Sequence, residues 1–152
     1  MPIRAAIPED DPLVVRHYLA VWDSYGTPAD HYRADAGALV LAWLAEARAQ
    51  QGLGVFLAEE DGQAVGSACC QRFQTPYPDV IQPTRRNPGY VWSVYVEPNW
   101  RGRGLARLLV TRAVEHLRGI GCSRVLLHAS QAGRGVYERL GFVPGSEMRL
   151  EL

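Results

Sequence analysis

A chain of 152 residues, 47% apolar and 21% charged, has the size and composition of one globular domain that buries its core without disulfide staples. Its formal charge is zero, too weak a field for a dedicated nucleic-acid binder, a class with a marked basic excess, and every basic residue is an arginine, a matter of base composition. No apolar run approaches the roughly 20 residues of a membrane span, and "MPIRAAIPED" lacks the apolar stretch of a secretory leader. Three cysteines, Cys69, Cys70 and Cys122, do not make a complete set of disulfides, so a reducing cytoplasm is the expected location. The four histidines are scattered without metal-ligand spacing, and no metal site is expected.

In chain order, "IRAAI" reads as a short strand. "DPLVVRHYLAVW" follows with Asp11 as N-cap and Pro12 at the first helical position, and Val14, Val15, Tyr18, Leu19 and Trp22 recur at helical spacing. Thr27, Pro28 and Asp30 offer a second helix start, and "ALVLAWLAEARAQQG" predicts a helix ending near Gly52. "GVFLAEEDGQAVGSACCQRF" predicts two antiparallel strands turning at Asp61-Gly62. Cys69 and Cys70 alternate across the second of these, which places one of them toward the core. The proline-rich "QTPYPDVIQPTRRNPG" is an exposed loop, and "YVWSVYVE" is the third clear strand.

The turn "PNWRGRG" then leads into "LARLLVTRAVEHLRGIG", whose stripe Ala106, Leu109, Val110, Ala113, Val114 and Leu117 predicts an amphipathic helix closed by Gly119 or Gly121. "RVLLHA" reads as a buried strand, and "GRGVYERLGF" as a short helix ended by Gly141 with Phe142 packing back. The tail "EMRLEL" alternates, with Met148, Leu150 and Leu152 on one face of a last strand. The order β-α-α-β-β-β-α-β-α-β is that of a mixed sheet flanked by helices. Charge divides along it: residues 1–70 hold four arginines against ten carboxylates, and residues 71–152 hold twelve against six. The positive half contains the glycine-rich turn, which suits an anionic small ligand.

Three landmarks carry a resemblance. Arg101, Gly104 and Ala106 match Gln/Arg-x-x-Gly-x-Gly/Ala at a strand-to-helix turn, Val96-Glu97-Pro98 matches the preceding "V-x-P", and "VYERLGF" matches an "L-Y-E-x-L-G-F" helix end. With this element order the chain resembles the GNAT superfamily of acyl-CoA-dependent N-acetyltransferases over nearly its whole length. The resemblance implies an α+β fold in one domain, residues 1–152. Its sheet would be mixed, mostly antiparallel and twisted, with about six to seven strands, two parallel central strands splaying apart, and about four flanking helices. It implies acetyl-CoA as co-substrate, no metal, and a small-molecule or peptide amine as acceptor. It implies no nucleic-acid or membrane partner, and it leaves room for a homodimer.

The physics of the turn agrees with that resemblance. Arg101, Gly102, Arg103, Gly104, Leu105 and Ala106 would present bare backbone N–H groups and the positive end of a helix dipole to the pyrophosphate of coenzyme A, with Arg107 adding charge. By resemblance, the backbone of Val94, Tyr95 and Val96 pairs with the pantetheine arm, and one amide points at the thioester oxygen as an oxyanion-hole donor. Tyr137 matches the tyrosine that protonates the departing thiolate; the alternative is a packing tyrosine. Ser130 stands where many members have an asparagine that contacts the cofactor arm, and Arg134 is a further candidate for a phosphate.

The base that takes the amine's proton stays open. Glu59 and Glu60 abut a hairpin turn, Glu97 lies beside Pro98, and His128 in a buried strand reads as a core histidine. No cysteine is placed beside a histidine as an activated nucleophile, so direct attack of the amine on the thioester is expected. Trp22, Tyr25 and Tyr32 with Asp23 and Asp30 either welcome a cationic acceptor or form a staple and cap. A catalytically weak acyl-CoA-binding sensor is the alternative to an enzyme.

Overall fold

The computed structural model describes residues 2–152. Its strands are β1 (Ile3–Ala5), β2 (Gly54–Glu60), β3 (Gln63–Arg72), β4 (Pro88–Val96) and β5 (Arg124–Leu126). Its helices are α1 (Asp11–Ser24), α2 (Ala36–Gln50), α3 (Leu105–Gly119) and α4 (Arg134–Arg139). The strands form one open sheet in the order β1-β2-β3-β4-β5, antiparallel except for the parallel pair β4–β5.

Helices on both faces explain the continuous apolar runs of β2 and β3. Val55, Leu57 and Cys69 pack with Val14 of α1 and Val40 and Leu44 of α2. Phe56, Ala58, Ala68, Cys70 and Val91 pack on the other face with Leu105, Leu109, Ala113 and Leu117, the buried stripe of α3. Cys69 and Cys70 therefore both face a core, on opposite sides of the sheet, where one core-facing cysteine was expected. The β2–β3 turn falls at Asp61-Gly62 as predicted, with φ of 49° and 75°.

Several local readings shift. Asp11 begins α1 but does not cap it: its carboxylate takes a bidentate pair from Arg48 of α2, with Nη1 2.8 Å from Oδ2. A 3-10 turn at Pro8–Asp10 leads in instead, and the Asp10 carboxylate accepts the Ile7 N–H at 2.9 Å. Thr27 starts no helix; its hydroxyl donates to the Trp22 carbonyl at 2.8 Å, closing α1, and α2 begins only at Ala36.

The C-terminal strand does not form. Residues 143–152 carry no regular structure, and Met148, Leu150 and Leu152 are exposed. The sheet therefore has five strands where about six to seven were expected, and β5 is its edge. Alternation marks a tail that is able to pair, but pairing needs a neighbouring edge, and β5 offers three residues. For the same reason "RVLLHA" is shorter and more open than predicted, and β4–β5 is a parallel pair at the sheet's margin.

Two irregularities mark β4. Its pairing with β5 is confined to Pro88↔Arg124, Gly89↔Val125 and Tyr90↔Leu126, so the parallel strands part beyond Tyr90. Opposite β3, the register passes from Ser67↔Tyr95 to Cys69↔Trp92, so β4 spends one extra residue there. Ser93 sits in that bulge with φ of 53°, in the left-handed region. On β3, a Cβ at Gly66 would lie 2.9 Å from the Tyr95 carbonyl oxygen and 3.3 Å from Leu109. Gly66→Ala should cost about 1–3 kcal/mol by forcing β4 outward. Thermal unfolding should show this as a midpoint lowered by roughly 2–4 °C per kcal/mol; an unchanged midpoint would show that β4 yields freely.

Candidate active site

The parting of β4 from β5 opens a cleft of about 1020 Å³, as large as the largest common ligand pockets. One wall is β4 with Val94, Tyr95 and Val96; the floor is the turn and the first residues of α3, with Arg101, Gly102, Gly104, Leu105 and Ala106. The other wall comes from Ser130, Val136 and Tyr137 around α4. The predicted residues among these thus meet on one surface, and Val136 joins them there.

The turn is built as a cradle. Gly102 and Gly104 have φ of 76° and 79°, a region that excludes most side chains, and a Cβ at either would meet nothing within 4 Å. Gly104 is the N-cap of α3, whose first backbone hydrogen bond runs from Leu108 N–H to the Gly104 carbonyl at 3.2 Å. The N–H groups that precede it in the helix therefore have no intrahelical acceptor, and they stand at the positive end of a 15-residue helix.

The arginines divide. Arg101 lines the cleft, yet its Nε donates to the Val96 carbonyl at 2.9 Å and its guanidinium lies over the Tyr95 ring, so it also pins strand to turn. Arg103 is not in the lining; it stacks on Trp100, 4.6 Å from the ring centroid. Arg107 and Arg139 do line the cleft, and sequence reasoning had not selected Arg139. Its signal was available: it lies two residues past Tyr137 on the same short helix. Arg134 is instead paired with Glu138 at 2.9 Å.

Ser130 does two things. Its hydroxyl oxygen accepts the Gly133 N–H at 3.1 Å, organising the entry to α4, and its side chain borders the cleft. Gly133 lets that approach happen, since a Cβ there would lie 3.1 Å from both Ser130 Oγ and the Tyr137 ring. Tyr137 packs edge-on against Phe142, as the sequence predicted for the helix end, and burial pushes its phenol up to about 12. The hydroxyl thus keeps its proton throughout the neutral range.

A second cavity, of about 60 Å³, adjoins the cleft beside the bulge. Ser93, Val94, Ser130 and Tyr137 line it together with His128 and Tyr25, the residue that follows α1. Burial holds the Cys70 thiol up at about 12 and raises the Cys69 thiol as well, so neither is a nucleophile.

Among the carboxylates weighed as bases, Glu59 is bound to Arg4 at 2.6 Å, far along the sheet in β2. Glu97 accepts from the Tyr95 hydroxyl at 3.3 Å and faces His17 at 3.4 Å. His17 is almost wholly buried in α1, with Nδ1 2.8 Å from Ser67 Oγ, and burial lowers its pKa although Glu97 opposes the shift. A folded pKa below the unfolded value near 6.5 means that the unfolded chain binds the proton first. Stability from His17 is therefore complete above about pH 6.5 and is lost as the pH falls through the folded value. Thermal midpoints measured from pH 8 to 5 should fall more steeply for the wild type than for His17→Gln; parallel curves would mean that His17 takes no part.

A strand parting from its parallel neighbour and running into a glycine-rich helix start defines a cleft for an extended ligand with a phosphate end. Residues 15–142 match the family model described as the acetyltransferase (GNAT) family, and the chain belongs to that family. It is 36% identical over 119 residues to glucosamine 6-phosphate N-acetyltransferase from Trypanosoma brucei brucei, an alignment covering 74% of this chain and 75% of that one. Its structure is similar to a GCN5-related N-acetyltransferase from Ralstonia eutropha, with a TM-score of 0.83, 28% identity, and 99% and 97% of the two chains covered. It is also similar to a predicted acetyltransferase from Clostridium acetobutylicum solved with acetyl-CoA, with a TM-score of 0.82, 27% identity, and 99% and 94% covered. The protein is thus an acyl-CoA-dependent N-acetyltransferase, with acetyl-CoA as its co-substrate. No helix among the described residues is long and apolar enough to cross a membrane.

Proposed function

We propose that the chain is a single catalytic domain, residues 1–152, that moves the acetyl group of acetyl-CoA to the amine of a small molecule by direct attack on the thioester. The observation that carries this reading is the open cradle at Gly102 and Gly104, continuous with the parted strand β4. The backbone of residues 101–106 would hold the pyrophosphate, with Arg107 and Arg139 adding positive charge. Val94, Tyr95 and Val96 would offer β4 backbone groups, free of a strand partner on the β5 side, to the pantetheine arm. An N–H at the Ser93–Val94 bulge would then stabilise the oxyanion that forms when the amine adds. Tyr137, across the cleft, would donate to the sulfur as it leaves, and the hydroxyl of Ser130 has a proton to give to the arm.

The acceptor would enter past the aromatic side chains of α1 and β4. Trp22 and Tyr25 meet edge-on at 5.9 Å, Tyr18 and Trp92 at 5.5 Å, and Tyr25 lines both cavities. Such a wall suits the apolar body of a small amine better than a long peptide. Unpaired, largely buried cysteines fit a reducing compartment, the cytoplasm.

The test is calorimetric titration with acetyl-CoA, followed by release of free coenzyme A against a panel containing glucosamine 6-phosphate, tryptamine, an aminoglycoside and a short peptide. Binding with release by one amine is the expected result. Binding without release by any amine would favour the sensor; absence of binding would refute the cradle.

A further inference from the structure

Where His128 borders the small cavity, it joins two side chains from separate parts of the chain in line. The hydroxyl of Tyr90, on β4, meets His128 Nδ1, and His128 Nε2 meets the Glu147 carboxylate in the C-terminal segment. The sequence reading of His128 as a core residue is overturned: its side chain is 58% exposed, because β5 is an edge strand and ends at Leu126. An ionised carboxylate only accepts, so Nε2 carries the ring proton and Nδ1 offers a lone pair to the Tyr90 hydroxyl. The chain therefore has a direction, with an acceptor for protons at the Tyr90 end and a negative charge behind it.

His128 borders the same cavity as Tyr137, Ser130 and Tyr25. Ser93 lines it too, 8% exposed, and its Oγ has no hydrogen-bond partner among the described residues. A buried hydroxyl without a partner is costly unless something polar completes it, so the cavity is shaped for a polar occupant. The bulge that holds Ser93 lies past Tyr90, the last β4 residue paired with β5.

From these placements we infer that the Tyr90–His128–Glu147 chain is the base of the reaction, accepting the proton that the amine must lose; this rests on the acetyl-transfer reading above. The amine nitrogen bonds to the thioester carbon, the carbon–sulfur bond breaks, and the sulfur keeps its electron pair. The nitrogen's proton goes to the Tyr90 oxygen as that hydroxyl's own proton moves to Nδ1, leaving an imidazolium against Glu147. The thiolate, stabilised by the Tyr137 hydroxyl, takes a proton from water, and the imidazolium returns one to water. Glu147 touches no reactant; it is a positioning residue that fixes the ring and its tautomer.

The other titratable groups that line the cavity with His128 are Tyr137 and Tyr25, the residue that follows α1. Burial raises the Tyr137 phenol to about 12, so it keeps its proton at neutral pH and is no alternative base.

Two measurements test the inference on the full chain. With ring-15N-labelled histidine, NMR of neutral His128 should show the proton on Nε2, and Glu147→Gln should weaken that preference. A proton on Nδ1 in the wild type overturns the relay without any acceptor being needed. His128→Gln keeps a donor for Glu147 and an acceptor for Tyr90 but does not titrate. With the amine that gives coenzyme A release, it should lose at least tenfold in kcat at pH 7, an effect of the size expected for a removed base. The wild type's loss of activity on the acid side should be missing from its profile, while its affinity for acetyl-CoA and its thermal midpoint stay unchanged. Equal kcat and equal pH profiles overturn the relay and leave the cleft reading standing; failure of the wild type to bind acetyl-CoA strikes the cleft reading instead.

Discussion

Gly104→Glu should abolish detectable binding of acetyl-CoA while leaving the protein folded. The position has φ of 79°, and the direction in which a side chain would grow holds no atom within 4 Å, so the glutamate extends into the cradle and not into the core. Left-handed backbone in a non-glycine residue costs about 1–2 kcal/mol, which a domain of this size survives with a lower thermal midpoint. The effect on the ligand is larger. A carboxylate about 4 Å from one phosphate charge, at an effective dielectric near 20, is repelled by roughly 4 kcal/mol, close to a thousandfold in affinity.

Two companions separate the causes. Gly104→Ala carries the same backbone strain with little bulk, and should lower the midpoint comparably while weakening binding far less. Gly104→Arg carries bulk with the opposite charge and should fall between them. Calorimetric titration with acetyl-CoA reads all three, and a Kd unchanged in folded Gly104→Glu would show that the pyrophosphate sits elsewhere.

Much of this site is legible in sequence because its features are local. The glycine spacing, the arginines and the amphipathic stripe of α3 lie within 20 residues and depend on backbone geometry that neighbouring residues dictate. The same is true of the helix end at Gly141, where the Phe142 N–H returns to the Tyr137 carbonyl at 3.0 Å. The hairpin at Asp61-Gly62 is read off two residues because only left-handed φ values close it.

What stays hidden depends on distant partners. Asp11 has the sequence of an N-cap, and only the arrival of Arg48 from α2 turns its carboxylate elsewhere. Cys69 and Cys70 look like an in-and-out pair until the second helical layer covers the other face of the sheet. His128 looks buried because an apolar run normally lies between two neighbours; with the tail unpaired, β5 has one. The same unpaired tail brings Glu147 to that histidine, 19 residues along the chain, where no spacing rule points. Ser93 gives no sequence signal either, since its left-handed φ comes from a bulge set by register against β3.

Tyr137→Phe should lower turnover roughly a hundredfold and leave acetyl-CoA affinity and the thermal midpoint nearly unchanged. The size reflects the action of this phenol on a leaving sulfur. A coenzyme A thiol ionises near 8.5, whereas burial has pushed the Tyr137 phenol up to about 12, so complete proton transfer from oxygen to sulfur runs uphill. Tyr137 acts, then, as a fixed hydrogen-bond donor to the developing thiolate, and a hydrogen bond to a charged group contributes about 1.5–3 kcal/mol. That interaction exists only once charge has gathered on the sulfur. Its loss therefore appears in kcat, whereas substrate binding, governed by the cradle and β4, is spared.

The phenyl ring remains, so the edge-on contact with Phe142 and the packing behind Gly133 are retained, and loss of fold does not explain the result. Because the phenol stays protonated through the neutral range, the defect should also be independent of pH from about 6 to 9. Undiminished kcat in Tyr137→Phe would reduce Tyr137 to a packing residue. A defect that grew or closed across that range would mean that it exchanges protons in the step that limits turnover.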